Sequence, residues 1–533
     1  MKHEFHIPYI SRRNFLERFG AAGLGLTVLG RTIRELRFLN TAVAEGVQPS
    51  DYKALICVFL NGGNDSNNMI IPTIPSEWAN YAAIRGPAIA LPNADGGPAS
   101  ALMLKKPGPG DTAYSDADGH TYGFHPAMPE MAALFKAGVV APVLNVGTLS
   151  FPLTKVQWSS NSVPRPPQLF SHSDQQTQWQ TSLPDQPITS GWGGRVADLL
   201  NATYNTNYVN GVPQSGGVSM AVTLAGSNVF EVSSSNLAPP YSITTGGAVT
   251  ISSVSGTRRT ALDAILATDK AATNLQTKVY AGLFDQSIDQ AESLNVALGF
   301  NDTVAKAPWL VKFASNSIIT PNGGATFNSG LMSQMKMVAR LIDLGSRPKG
   351  VNGGLGMKRQ IFFIQVGGYD THSNQTSNEG STTADNAKVI IGDHANRLAD
   401  LSQTLNALYQ ALSMMGVPPG SPPGTLPLKD CVTAFTASDF SRTFPGNGVG
   451  SDHGWGGHQL VMGGAVNGGA TYGKFPTLAV NGPDDTSTGR WIPTTAVDQY
   501  AATIASWFGV DAAGIDTVFP NLGRFASPNL GFL

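Results

Sequence analysis

The sequence predicts an α/β protein: a three-layer sandwich with helices covering both faces of a largely parallel sheet. Two observations carry this. Several short runs are apolar without alternation, which is how strands covered on both faces read. Longer segments of helical periodicity lie between them, and that alternation is the pattern of parallel α/β folds.

Taken in order, Ala54–Leu60 (ALICVFL) is a central strand, and it ends in the glycine-rich Asn61-Gly62-Gly63-Asn64-Asp65. Pro126–Lys136 predicts an amphipathic helix and Val139–Val146 the next strand. Gln360–Val366, Cys431–Ala437 and Gln459–Gly463 are further buried-strand candidates. Thr260–Leu298, Leu331–Leu344, Asp385–Met415 and Thr495–Phe508 read as helical. Residues 201–258 are rich in Asn, Ser, Gly and Thr yet keep apolar alternation, as in Val218–Leu224, so they predict an inserted β-rich excursion. Pro418–Gly424 is a solvent loop of Pro and Gly. With no internal repeat, one large domain over 45–533 is expected, although 533 residues allow more.

The first 44 residues stand apart. Ser11-Arg12-Arg13-Asn14-Phe15-Leu16 places paired arginines before a large apolar residue. A mild apolar run from Phe19 to Gly30 follows, too short and glycine-rich to anchor in a bilayer. Ala42-Val43-Ala44 then offers the small-x-small pattern that a signal peptidase cuts. This order predicts a twin-arginine signal peptide over 1–44, with the translocase as export partner and a periplasmic or secreted mature chain. Arg31, Arg34 and Arg37 precede the motif and leave the cut itself open. The competing reading is an amphipathic helix with a chance arginine pair.

Net charge is −2 and 13% of residues are charged, with no basic run after the signal, so no nucleic-acid footprint is expected. No other stretch is apolar enough for a membrane anchor. Cys57 and Cys431 sit in apolar runs and read as small buried thiols, a disulfide between them remaining open.

Three motifs place acids and histidines just after predicted strands, where ligands bind in open α/β sheets. Asp65 ends the first, although Gly62–Asp65 also suits a tight turn. Asp370 and His372 follow Gln360–Val366; the plainer reading makes Asp370 a helix cap. Asp452, His453 and His458 crowd one glycine-rich loop, and His with Asp is a common donor set for zinc or manganese; the plainer reading is a decorated surface loop. Arg442 could clamp an oxyanion through its planar fork or pair with Asp439. Ser171 opens a helix, as nucleophile or as cap.

The twin-arginine start, FLNGGNDSNN, SHSDQQTQW, GGYDTHSNQ and DFSRT…SDHGWGGH together resemble the bacterial domain-of-unknown-function 1501 family, which is sulfatase-like and of the alkaline phosphatase superfamily. The resemblance implies an alkaline-phosphatase-like fold and two divalent cations bridged by a hydroxyl nucleophile and an ester. It implies Asp65, Asp452 and His453 at one cation and Asp370, His372 and His458 at the other, with Ser171 as nucleophile and Arg442 balancing developing charge. Two departures stand out. The superfamily spacing Asp-x-x-x-His becomes Asp370-x-His372, with Asn374 at the usual histidine position, and no formylglycine context exists. The expectation is therefore an exported metal-dependent hydrolase of phosphate or related esters on small-molecule or polymer-borne substrates. Its rival is a non-catalytic envelope or surface protein that keeps the fold.

Overall fold

In the computed structural model, residues 51–533 are described apart from 95–99, 206–207, 210–211, 214–216, 236–237, 252–253 and 322–324. The export motifs of residues 1–44 lie outside the described residues. Nine strands form the central sheet: β1 Lys53–Leu60, β2 Val140–Gly147, β3 Ala221–Thr223, β4 Tyr241–Ser242, β5 Arg359–Val366, β6 Val432–Ser438, β7 Gly457–Met462, β8 Tyr472–Gly473 and β9 Thr495–Ala496. Their spatial order is β8-β2-β7-β6-β1-β5-β3-β4, with β9 also paired to β2. Only β7 runs antiparallel to its neighbours, so the sheet is mixed and mostly parallel. The longer helices are α1 Pro75–Arg85, α2 Pro129–Lys136, α3 His172–Thr181, α4 Trp192–Tyr204, α5 Thr257–Lys270, α6 Leu275–Leu298, α7 Gly330–Ser346, α8 Asp393–Met415 and α9 Val497–Phe508.

The unbroken apolar run of β1 follows from burial on both faces. Ile56, Val58 and Leu60 join a core with Met335 and Val338 of α7 and Leu398 and Leu405 of α8. Cys57 and Phe59, pointing the other way, line an aromatic interior with Trp192 of α4, Phe435, and Tyr500 of α9. Side chains alternate along a strand, so one run serves two helical layers. Each such side chain contributes about 1.5–3 kcal/mol by leaving water. Both cysteines are free and buried.

Register is what positions the site. Leu60 lies opposite Val366 on one side and Ser438 on the other, so β1, β5 and β6 end at one level. Antiparallel β7 begins near that edge, with Gly457 opposite Val146 of β2.

Three sequence expectations change. Asp385–Met415 is not continuous but splits into a single turn at Asn386–Val389 and α8 from Asp393. The segment Thr260–Leu298 is not one helix but two, broken at 271–274, where Asn274 accepts from the Gln276 and Thr277 amides at 2.9 and 3.1 Å. The excursion of 201–258 is not a separate β unit: β3 and β4 extend the main sheet beyond β5 by parallel pairing. Among the described residues, the hairpin of Tyr208–Val209 with Val212–Pro213 forms a separate two-stranded pair.

Two acids are buried at a cost. Burial pushes Glu231 up to about 8 and Asp498 of α9 up to about 7. The folded chain keeps protons that an unfolded chain releases near pH 4. The contribution of these two groups to stability is thus fully present below that pH and is lost as pH rises towards 7–8. Urea unfolding at pH 5 and pH 8 is expected to show a smaller drop for Glu231→Gln than for the wild type. Equal drops would place Glu231 in its charged form throughout.

Candidate metal centre

The loops after β1, β5 and β6 emerge side by side, and glycine makes that possible. A Cβ on Gly62 (φ +113°) would lie 2.4 Å from the Asp370 amide nitrogen, and one on Gly63 (φ +83°) 2.4 Å from the Phe440 ring. These two positive-φ glycines let the chain turn under its neighbours.

Four side chains meet above this turn. His172 enters from the first turn of α3, Asp370 and His372 from the loop after β5, and His453 from the loop leading into β7. His453 Nε2 lies 3.1 Å from His172 Nε2, 2.9 Å from His372 Nε2 and 3.4 Å from Asp370 Oδ1. Asp370 Oδ1 is 3.2 Å from His372 Nε2, and its Oδ2 is 3.6 Å from His172 Nε2. Phe440 lies against both the His172 and His453 rings, with centroids 4.8 and 4.7 Å away.

The outer nitrogens fix the tautomers. His172 Nδ1 donates to Asp439 Oδ2 at 2.7 Å; His372 Nδ1 lies 3.1 Å from Asp452 Oδ1; His453 Nδ1 donates to the Phe170 carbonyl at 2.8 Å. Asp439 is fully buried and also accepts from the Gly62 amide at 3.2 Å and Gln176 Nε2 at 2.9 Å. With Nδ1–H used in this way, each neutral imidazole turns its Nε2 lone pair inward. Three inward lone pairs beside a carboxylate repel one another unless a proton or a metal cation stands among them.

The local charges differ from ring to ring. The Asp439 hydrogen bond raises the pKa of His172, whereas burial lowers that of His453. Burial works to raise Asp370, yet the Arg442 hydrogen bond and charge with the nearby imidazoles outweigh it and hold its carboxyl below the usual range. For Asp452, burial is likewise outweighed by hydrogen bonds from Asn447 and His372.

The donor set fits a cation. Ligands at 2.0–2.1 Å around tetrahedral zinc stand about 3.3 Å apart. The contacts here run from 2.9 to 3.6 Å, with His372 meeting, of the other three, only His453 and Asp370 and standing outside the set that is mutually close. Imidazole nitrogens with one carboxylate suit zinc and neighbouring transition metals better than magnesium or calcium. Carboxylates and a carbonyl behind the histidines are the usual outer support of such a site. Among the described residues, His172, Asp370 and His453 are the group whose ligand atoms all lie within 4.8 Å of one another.

Of the residues singled out in the sequence, Asp370, His372 and His453 come together here, in one centre rather than two. Asp65 does not join them. It is buried without exposure, ion-paired with Arg85 and hydrogen-bonded by Gln375. Asp452 orients His372 and accepts from Asn447 Nδ2 at 3.1 Å. His458 is buried on β7, accepts from the Asn145 amide at 3.1 Å and stacks on Phe475; burial pulls its pKa to about 3. Asp65 is thus engaged by an arginine, and His458 lies in the core. Arg442 pairs with Asp370 at 2.6 Å through Nη1, not with Asp439; the same Nη1 donates to the Gly62 carbonyl, while Nε and Nη2 hold the Ser451 carbonyl. Ser171 precedes α3 but accepts no helix amide; its Oγ donates to Asp174 Oδ2 at 2.6 Å.

Sequence reasoning missed His172 and Asp439. His172 stood beside the chosen Ser171, and Asp439 directly follows a buried strand, as Asp370 follows its glycines.

Residues 355–512 match the sequence profile of a family described as a protein of unknown function (DUF1501). The matched stretch carries Asp370, His372, Asp439, Arg442, Asp452 and His453, while His172 lies before it. No curated protein matches the chain.

Asp65 and Arg85 hold the loops beneath the centre. Arg85→Met, which strands a buried carboxylate, is expected to lose about 3–5 kcal/mol in urea unfolding. Asp65→Asn should keep the cation content of the wild type, whereas loss of the cation would return Asp65 to the ligand set.

Proposed function

We propose that this chain is an exported hydrolase that uses one divalent cation, zinc by its donor set, to cleave phosphate or related esters. The observation that carries the reading is the convergence of three imidazole Nε2 atoms and Asp370 beyond the carboxyl ends of parallel strands. Export is supported by Arg12, Arg13 and the Ala42-Val43-Ala44 motif. The side chains of Asp370 and His372 are 44% and 46% exposed, so the centre is open to a substrate.

A divalent cation held there supplies Lewis acidity to a phosphoryl or sulfuryl oxygen and lowers the pKa of a water molecule. The protein's own groups do the rest. Asp439, Asp452 and the Phe170 carbonyl keep the imidazoles in their ligating tautomer. Arg442 shares the Asp370 carboxylate and limits how much of it a cation can draw. Phe440 keeps water from beneath two of the rings. In this reading water attacks, and the Ser171 hydroxyl donates to Asp174. A second reading, a cation-holding envelope or surface protein without catalysis, is favoured by one fact: three histidines and Asp370 already make four donors, the number that closes a structural zinc site.

Protein purified without chelator is expected to hold about one zinc per chain and to hydrolyse an aryl phosphate, phosphodiester or sulfate. His453→Ala should lose both properties. Zinc without hydrolysis would select the second reading, and absence of any cation would reject both.

A further inference from the structure

His453 is the hub of the cluster, since its Nε2 touches both other imidazoles and Asp370. What fixes this one ring therefore governs the whole donor set. Two contacts do so, and one arginine joins them.

Phe170, whose carbonyl receives His453 Nδ1–H at 2.8 Å, has φ +71°, a left-handed conformation unusual for an aromatic residue. That conformation sets the direction of the carbonyl. The Arg490 guanidinium lies over the Phe170 ring at 4.3 Å, and Arg490 Nε donates to the His453 carbonyl at 2.8 Å. A single side chain thus contacts both the backbone of the ligand and the residue that holds the ligand's ring. Among the described residues Arg490 has no carboxylate in ion-pair range, so no salt bridge accounts for its placement. The loop around it is built for this position. Buried Asp485 accepts from the amides of Asn481 at 2.7 Å, Ser487 at 3.1 Å and Arg490 at 2.9 Å.

We propose that Arg490 is a positioning residue for His453, holding Phe170 and the His453 backbone so that Nε2 stays a lone-pair donor at the centre. The proposal rests on the metal reading above and adds the 481–491 loop to it. Without the guanidinium, Phe170 relaxes towards ordinary φ, its carbonyl leaves Nδ1, and His453 is free to take the tautomer that cannot ligate.

The test uses zinc and cobalt(II) as probes on wild type, Arg490→Ala and Arg490→Met, the last keeping an apolar stem over Phe170. Zinc affinity is measured by competition with a chelator, the cobalt(II) visible spectrum reports ligand geometry, and metal-free melting controls for folding. Both variants are expected to lose about 10–100-fold in zinc affinity and to change the cobalt spectrum, with metal-free melting as in the wild type. Wild-type affinity and spectrum in either folded variant would overturn the proposal alone. A wild type that binds no zinc would overturn the metal reading and this proposal together.

Discussion

The centre depends on three parallel strands ending at the same level. Because Leu60 is paired with Val366 and Ser438, the loops after β1, β5 and β6 start one strand spacing apart, about 4.8 Å. Loops so close collide unless one of them lacks side chains, and Gly62-Gly63 answers that constraint. The same closeness lets a single carboxylate act across elements. Asp439, at the end of β6, takes an amide from the β1 loop and a histidine and a glutamine from α3. Register, glycine and Asp439 are thus one device, and α3 is docked by it.

Beneath the imidazoles lies a second, drier layer that holds the loops rather than a ligand. The Asp65–Arg85 pair is fully buried, where an unpaired charge would be costly. Arg85 also donates to the Thr443 and Phe444 carbonyls at 3.0 and 2.8 Å. Gln375 reaches from Asp65 to Ser451, whose hydroxyl donates to it at 2.6 Å. One ion pair therefore ties the β1 loop to the chain after β5, after β6 and before β7. Arg442 works one level higher, linking the Ser451 and Gly62 carbonyls to Asp370. Carboxylates under arginines give rigidity, and those beside histidines tune a centre.

Much of this could be read from the residues, and the reasons are physical. A strand covered on both faces has to be apolar throughout, so β1, β5 and β6 announce themselves, with ends within about a residue of expectation. Acids and histidines just past such strands also pointed to the right edge of the sheet. Which of them share a centre could not be read, because that depends on a distant partner. Asp65 and Asp370 look alike in sequence, each following a glycine pair, and each meets an arginine. Arg85 of α1 pairs with the fully buried first, whereas the second, paired with Arg442, also faces three imidazoles. His172 was hidden because it arrives from a helix start, outside the strand-end pattern. The parallel pairing of β3 and β4 was equally silent, since strands of two and three residues carry too little periodicity to show their partner.

The central claim is a single cation among His172, His372, His453 and Asp370. X-ray absorption at the zinc edge of the loaded protein measures this most directly. The account predicts one zinc with about three imidazole nitrogens and one or two oxygens at 2.0–2.1 Å. A shell dominated by oxygen, or a second metal at about 3.5–4 Å, would contradict it.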